Sequence, residues 1–345
     1  MADKKKAYNN ESISALKGPD RVRKRPSVIF GSDGLEGCQH TVFEILSNSI
    51  DEAREGHGKV IDVVRHADKS ITVQDYARGM PVDYNNKERK YNWKLVYCEL
   101  YAGAKYNNNS EESYMFSLGL NGLGCCATQY SAEYMDVEVF RDGYQYNLHF
   151  EEGVNKGGLS KVKKKYKQTG TRTRWKPDLK VFTEIDIPLE YFQDIMKKQA
   201  IVNHGLKLRL LDEASGEKFE YYYEGGVEEY IVELTNGYKL TEIHTAKLST
   251  KGRDRQDKPE YKLKMAVSFC FCNEVNLIEY FHNSSFLEHG GSPDRAVKNA
   301  FTYAVDKLLS DNKKYKNGEK KISFTDIQDS LVLVSNSFST ITSYE

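Results

Sequence analysis

Apolar residues recur every three or four positions over residues 35–58, a spacing that places them on one face of an α-helix. Gly56 offers a stop for this helix near the end of the stretch. The pattern therefore predicts a long amphipathic helix. Its apolar face comprises Val42, Ile45, Leu46, Ile50 and Ala53.

Alternating apolar and polar positions predict strands in the segments that follow. Residues 59–75 have the pattern of strand, turn and strand, and residues 135–150 form a hairpin pattern around Asp142-Gly143. Residues 171–175 predict a further strand, and residues 206–223 predict another hairpin. Between them, "WKLVYCELYAGAKY" predicts a helix that ends at Gly103.

The last third of the chain repeats this mixture after a short predicted helix, "VEEYIVEL". Strands are predicted near 261–272, 276–282 and 330–336. A helix is expected to start at Ser292 as N-cap, with Pro293 in its first turn. Its expected buried stripe is Val297, Ala300, Phe301, Ala304 and Leu308. We predict two α+β domains, 18–236 and 237–345, preceded by an N-terminal arm, 1–17.

Charge and cysteine content exclude several classes. Lys+Arg and Asp+Glu both number 50, so the composition does not favour a uniformly basic nucleic-acid-binding protein. None of the six cysteines forms a C-x-x-C pair, which argues against a zinc or redox motif. The start of the chain lacks a secretory signal, and no run approaches the roughly 18 apolar residues of a membrane span. These features predict a cytoplasmic protein without a membrane partner.

The predicted helix over 35–58 carries polar residues beside its apolar face. His40, Glu44 and Asn48 are four residues apart, so their side chains lie on one stripe. A glutamate in that position can act as a general base on a water, and a histidine one turn away can orient it. The asparagine offers an amide oxygen, which suits Mg²⁺. The alternative is an ordinary polar helix face that borders solvent.

Two further segments suggest a ligand. Asp75 ends an apolar strand, where its carboxylate can accept a hydrogen bond from an exocyclic amine such as that of adenine; alternatively, it caps the following turn. Residues 119–124, "GLNGLG", expose backbone amides of the kind that approach phosphate closely. The run lacks the context of a dinucleotide-binding fingerprint and the G-K-[ST] of a P-loop.

Four segments in order, "FEILSNSIDEA", "QDYARGMPVD", "GLNGLG" and "GTRTRWKPD", resemble the ATP-site motifs of the GHKL fold. That fold is shared by gyrase B, heat-shock protein 90, MutL and histidine kinases. The flanking segments "LKGPDRVRKRPSVIFG" and "YEGGVEEYI" narrow the resemblance to the ATPase region of bacterial type IIA topoisomerase B subunits. Gyrase B and topoisomerase IV B fit these segments equally. A MutL-type or chaperone-type ATPase fits the flanks less well.

The resemblance implies an α+β GHKL (Bergerat) sandwich, a mixed sheet covered by helices, followed by a ribosomal-protein-like transducer domain. It implies ATP hydrolysis with Mg²⁺ and dimerisation on ATP binding, which closes a gate around a DNA duplex. Other implied partners are an A-type topoisomerase subunit, which would interact through regions outside this sequence, and gyrase-B-class inhibitors in the ATP pocket. A nucleotide-gated dimerisation module with little hydrolysis is the alternative. The basic stretch 312–321 is expected either near DNA or in a solvated loop.

The resemblance also implies roles for matching residues. Glu44 would activate the attacking water with help from His40, and Asn48 would bind Mg²⁺. Asp75 would accept the adenine amino group beside Thr171, and Arg78 would pair with Glu52. The other implied ATP-binding residues are Arg78, Gly79, Pro81, Lys105, Arg141 and, in the glycine run as an ATP lid, Leu120, Asn121, Gly122, Leu123 and Gly124. The implied dimer contacts of the arm are Tyr8 and Ile13.

The sequence departs from the family pattern at four places. Ala77 replaces a glycine, Asn121 replaces a histidine of the glycine run, and Met115 replaces a lysine. The transducer Q-T-K triplet, whose lysine reaches the γ-phosphate, is absent, and no lysine follows Lys321. Either the sequence stops just before this triplet or the protein lacks it; we expect the former, and we expect that the chain binds ATP but hydrolyses it poorly.

Overall fold

The computed structural model describes residues 14–103, 116–118, 122–164 and 168–341. Within these ranges the helices are α1 (Asp20–Arg23), α2 (Pro26–Phe30), α3 (Leu35–Arg54), α4 (Asn92–Cys98), α5 (Gly124–Tyr130), α6 (Leu189–Val202), α7 (Val227–Thr235), α8 (Gly291–Asp311) and α9 (Phe324–Gln328). The strands are β1 (Val60–Arg65), β2 (Ile71–Asp75), β3 (Tyr84–Asn85), β4 (Lys90–Tyr91), β5 (Ala132–Arg141), β6 (Tyr144–Glu151), β7 (Val154–Lys163), β8 (Gly170–Pro177), β9 (Lys207–Asp212), β10 (Lys218–Tyr221), β11 (His244–Gly252), β12 (Tyr261–Phe271), β13 (Leu277–His282), β14 (Ser285–Phe286) and β15 (Leu331–Ser339).

The first two thirds of the chain form a large mixed sheet with strand order β10-β9-β1-β2-β8-β5-β6-β7. The pair β1 and β9 is parallel, and the other neighbours are antiparallel. Helix α3 packs on β1, β2 and β8, α5 packs on β5, and α6 packs on β9 and β10. Trp175 and Phe150 are fully buried between these layers. Burial of such aromatic side chains is the main source of stability for a layer of this kind.

The last third forms a smaller sheet with order β11-β12-β15-β13-β14. Helix α8 covers it, and the Phe269 and Phe301 rings meet edge to face with centroids 4.9 Å apart. Two sheets with segregated helices make the α+β class that the sequence predicts. The boundary predicted at 236/237 stays a prediction. It coincides with the end of α7, where Asn236 adopts a left-handed conformation (φ 44°).

Several predicted elements differ in detail. Helix α4 ends at Cys98 rather than Gly103, because the backbone of Glu99 is extended. Helix α8 begins at Gly291 with Gly290 as its N-cap, so Ser292 lies inside the helix and does not cap it. The predicted stripe of α8 is also wrong in part, as Leu308 is 62% exposed.

The buried face of α8 is narrower than its apolar pattern suggested. Val297 is buried, and Phe301 and Val305 pack against the same core, whereas Ala300 and Ala304 are exposed. The helix carries apolar residues on two sides, and only one of them meets the sheet.

Strands β7 and β11 and helix α6 were not predicted. Both strands are edge strands in which few side chains are buried, so neither shows the alternation on which strand prediction depends. Helix α6 does have a helical apolar period, with Phe192, Met196 and Ala200 buried.

In the part of the chain that the structure describes, no helix is long and apolar enough to cross a membrane. None of the six cysteines, all of which lie in the described ranges, forms a disulfide. Burial raises the pKa of the Cys126 thiol to about 12, as expected of a cysteine that packs in the core.

An ion pair between Arg23 and Asp178 attaches α1 to the rest of the first sheet and its helices. Arg23 is mostly buried, and its Nη1 also donates to the carbonyl oxygens of Tyr130 (3.2 Å) and Ala132 (3.1 Å). Arg23→Gln leaves the Asp178 carboxylate buried without its cation, so we expect a loss of about 3–5 kcal/mol in the free energy of unfolding by urea. The neighbouring Lys24→Gln removes an exposed pair with Asp20 and should cost less than about 1 kcal/mol. Equal effects of the two changes would contradict this assignment.

Candidate functional site

The polar stripe predicted on α3 begins with a His–Glu pair. The Nε2 of His40 lies 3.2 Å from Oε1 of Glu44, and its Nδ1 lies 3.3 Å from the carbonyl oxygen of Phe30. Both partners are acceptors, so the ring satisfies both contacts only when both nitrogens carry protons. The hydrogen bond to Glu44 raises the pKa of His40 above its ordinary value, against the opposing effect of burial.

Glu44 also touches the glycine run. A Cβ at Gly124 would overlap Oε2 of Glu44, so the carboxylate rests directly against the backbone that starts α5. These residues are eighty positions apart in the sequence. A larger residue at Gly124 would displace the carboxylate.

Asn48 completes the stripe. Its Nδ2 donates to the carbonyl oxygen of Glu44 (2.8 Å) and to Sγ of Cys125 (3.3 Å). Because the carbonyl oxygen accepts but cannot donate, this contact identifies the nitrogen end of the amide and fixes its orientation. The amide oxygen therefore points away from these two contacts.

Asp75 forms the second part of the site, at the end of β2. Its carboxylate is buried and accepts hydrogen bonds from Ser49 Oγ (3.1 Å), Ala77 N (3.0 Å) and Thr171 N (3.1 Å). Burial raises its pKa above the ordinary value, although these hydrogen bonds oppose the shift. Ser49 follows Asn48 on α3, so one helix contacts both parts of the site. Asp75 also caps the following turn, because it accepts the backbone N–H of Ala77.

The turn after β2 lies close to two strands. Gly79 has φ +74°, and a Cβ there would lie 2.6 Å from the carbonyl oxygen of Phe140, so only glycine fits without strain. Arg141 Nη1 donates to the carbonyl oxygen of Gly79 (2.7 Å), and Met80 N donates to Thr171 Oγ1 (3.2 Å). Exposed Pro81 follows the turn.

The predicted pair of Arg78 and Glu52 is present in the structure. Arg78 Nε and Nη2 donate to the two carboxylate oxygens of Glu52 at 3.0 and 2.9 Å. This bidentate pair joins the turn to α3.

These contacts join nine of the predicted positions to α3 or to one another: His40, Glu44, Asn48, Asp75, Arg78, Gly79, Gly124, Arg141 and Thr171. Gly122 and Leu123 precede α5 directly, and Gly122 has φ +59°. Tyr8, Ile13, Lys105, Leu120 and Asn121 lie outside the described residues.

Two contributors, Ser49 and Asp51, were not assigned a role from the sequence. Asp51 is buried on α3 and accepts the backbone N–H of Leu118 at 2.8 Å. The sequence could have indicated both, because each is a small polar residue on the side of the predicted helix that faces the core. Burial of such residues demands a partner.

The described residues offer a cation few charged ligands. Among the described residues, no three His, Cys, Asp or Glu side chains are grouped so that they could hold a metal ion. Mg²⁺ commonly keeps waters and shares one or two protein oxygens with substrate phosphates. The fixed amide of Asn48 beside Glu44 fits that donor set.

A family model, two curated relatives and two solved structures that resemble this chain all represent gyrase B or topoisomerase IV B proteins. Residues 226–345 match a family model described as DNA gyrase B. The chain is 31% identical over 330 residues to the DNA gyrase B protein of Thermotoga maritima, an alignment that covers 95% of this chain and 51% of that protein. It is also 31% identical over 325 residues to the DNA topoisomerase 4 B protein of Bacillus subtilis, covering 94% of this chain and 48% of that protein. The chain thus spans about half the length of these relatives.

Solved structures share the fold. The 43K ATPase domain of Thermus thermophilus gyrase B, in complex with an aminocoumarin, matches with a TM-score of 0.69 and 26% identity, over 93% of this chain and 81% of that one. The topoisomerase IV ATP-binding domain of Francisella tularensis, in complex with a small-molecule inhibitor, has a TM-score of 0.70 and 24% identity. The match covers 96% of this chain and 84% of that one. The α+β fold predicted for the chain is therefore confirmed.

The coupling of His40 to Glu44 can be measured by NMR titration of the His40 ring. Glu44→Gln removes the hydrogen bond to a carboxylate, and its charge, that raise the His40 pKa, while burial still lowers it, so we expect the pKa to fall. With Glu44 present, the stabilisation from this pair is complete below the unfolded-state pKa of His40. It disappears as the pH rises through the higher folded-state pKa.

Glu36→Gln, one turn before His40 on α3, is the control and should leave the His40 pKa unchanged. A His40 pKa that is the same in wild type and Glu44→Gln would show that the pair is not formed in solution.

Proposed function

The chain belongs to the family of gyrase B and topoisomerase IV B proteins, and on that premise we propose that it binds and hydrolyses ATP as part of a type IIA DNA topoisomerase. The observation that carries the proposal is the position of Glu44. Its carboxylate lies between His40 on one side and Gly124 of the glycine run on the other. A carboxylate that could act as a general base therefore lies beside the glycine run, whose backbone amides would suit phosphate.

Glu44 would accept a proton from the water that attacks the γ-phosphorus. The new bond forms between the water oxygen and phosphorus as the bond to the bridging oxygen breaks, and ADP leaves with the electron pair. Protonated His40 would orient the Glu44 carboxylate through their 3.2 Å contact. Asn48 would hold Mg²⁺, which neutralises charge on the phosphates.

Asp75 would recognise adenine. Its carboxylate already holds three N–H or O–H donors, and an amine donor of the base would add a further bond to the acceptor lone pairs. Thr171, whose backbone N–H contacts the same carboxylate, would lie beside the base. Since burial raises the pKa of Asp75, adenine recognition should weaken in acid at a higher pH than an ordinary carboxylate would require.

The remaining predicted residues take supporting roles in this proposal. The amides of the glycine run, Leu120, Asn121, Gly122, Leu123 and Gly124, would contact the β- and γ-phosphates, with Lys105 near them. Arg141 and Gly79, joined by their hydrogen bond, would border the pocket with Arg78 and Pro81. Tyr8 and Ile13 would contact a second copy of the chain.

The activity of the whole protein follows as a wider proposal. ATP binding would pair two chains and close a gate that captures a DNA duplex, and an A-type topoisomerase subunit would take part in this assembly. The basic stretch 312–321 would lie near that DNA. Inhibitors of the kind bound to the Thermus thermophilus domain would occupy the ATP pocket.

Two substitutions separate the roles of the carboxylates. Asp75→Asn replaces an acceptor with a donor against the adenine amine, so we expect ATP-analogue affinity to fall at least about tenfold. Glu44→Ala should keep that affinity and reduce turnover by about 100-fold or more. Calorimetric binding and phosphate release measure the two effects, with exposed Glu36→Ala as control. Equal losses of affinity in both variants would refute this division of roles.

Dimerisation can be tested without turnover. Light scattering with a non-hydrolysable ATP analogue should show the mass doubling from monomer to dimer, and Glu44→Ala should dimerise with ATP itself. Asp75→Asn should need more analogue for the same change. A chain that remains monomeric at saturating analogue would contradict the proposed gate.

A further inference from the structure

We propose that Phe338, in the smaller sheet, is a positioning residue for the nucleotide site. Its ring contacts Arg54 at the end of α3 and Phe116 just before the glycine run. This inference rests on the proposed ATP site. It assigns the smaller sheet a direct mechanical contact with two elements of that site.

The first contact joins Phe338 to Phe116. The two rings meet edge to face, with centroids 5.8 Å apart and planes at 63°. On Phe116, the ammonium of Lys264 lies 5.1 Å from the ring centroid, and Lys264 pairs with Phe338 across β12 and β15. Edge-to-face ring pairs and cations over rings are both stabilising contacts.

The second contact joins Phe338 to the candidate catalytic helix. The guanidinium carbon of Arg54 lies 4.9 Å from the Phe338 centroid, and Arg54 Nη1 donates to the carbonyl oxygen of Asn283 at 3.3 Å. Arg54 is the last residue of α3, about 15 Å along the helix from Glu44. The same helix therefore contacts the nucleotide site near its middle and the smaller sheet at its end.

The position of Phe338 is itself well defined. Fully buried Asn283 donates from Nδ2 to the carbonyl oxygen of Ser339 (3.2 Å) and accepts from Ser339 N (3.0 Å). Asn283 thus fixes the backbone next to Phe338 and receives Arg54 with its own carbonyl oxygen. The smaller sheet offers a rigid contact surface here.

Residues 116–118 are consequently attached at two points. Phe116 contacts the smaller sheet, and two residues later Leu118 donates its N–H to Asp51 of α3. Asp51 lies between Asn48 and Arg54 on the same helix. A change in the pose of Phe338 would therefore alter the segment that leads into the glycine run and the helix that carries the base.

Phe338→Ala in the full chain tests this assignment with two measurements. Hydrogen exchange reports the Leu118 amide without nucleotide, and stopped-flow displacement reports the dissociation rate of a fluorescent ATP analogue. We expect both rates to rise about tenfold, as loss of the two ring contacts predicts. Phe338→Tyr keeps the ring and should restore both.

Phe286→Ala is the matched control. Its ring packs against Phe281 with Lys198 4.0 Å from the centroid, so it removes a similar aromatic and cation contact away from residues 116–118. It should leave both rates near wild type. If Phe338→Ala fails to fold, Phe116→Leu tests the same contact from the other side.

The outcomes separate the two proposals. Unchanged Leu118 exchange in Phe338→Ala and Phe116→Leu, or an equal rise in Phe286→Ala, would overturn the positioning role. Faster Leu118 exchange together with faster analogue dissociation in a wild-type-like fold would support it, whereas faster exchange with unchanged dissociation would overturn it. A wild-type chain that binds no ATP analogue would instead refute the proposed ATP site, and Leu118 exchange would then test only the contact between Phe338 and residues 116–118.

Discussion

The burial of one carboxylate, that of Asp75, constrains much of this structure. A buried carboxylate is costly unless donors surround it, and here the donors come from three different segments: α3, the turn after β2, and β8. Satisfying them fixes the distance between the helix layer and the sheet. The same requirement brings Gly170 so close to the carbonyl oxygen of Asp75 that no Cβ would fit. The Asp75 carboxylate thus joins α3, the turn after β2 and β8 at one point.

Helix α3 carries two sets of polar side chains, one that faces the core and one on the stripe beside it. Its core-facing side ends in Ser49 and Asp51, which satisfy buried polar groups, while the adjacent stripe carries His40, Glu44 and Asn48. A spacing of four residues keeps the stripe together, and the contacts of Asn48 and His40 set the orientation of each side chain. Glu44 and Asn48, the proposed base and the proposed cation ligand, are therefore positioned by the elements that stabilise the core.

Local patterns predicted much of this arrangement because the relevant signals are short in range. The period of α3, the hairpin at Asp142-Gly143 and the ordered glycine and carboxylate segments depend on neighbours within a few residues. Edge strands such as β11, with almost no buried side chains, carry no such signal. The contact of Glu44 with Gly124 could be expected only through the family resemblance. The buried side of α8 could not be chosen, because both sides are apolar and the choice depends on the sheet.

The contact of Phe338 with Arg54 and Phe116 shows why the two sheets cannot be treated as independent. Under the proposed function, a nucleotide bound at the glycine run would act next to residues 116–118, and Phe116 in that segment contacts Phe338 of the smaller sheet. By thermodynamic linkage, a partner whose binding moves β15 would change nucleotide affinity by the same factor as nucleotide binding changes the affinity for that partner. This coupling is mechanical. It requires that β15 be rigid enough for a displacement of the Phe338 ring to move Asp51, and the paired hydrogen bonds between Asn283 and Ser339 supply that rigidity.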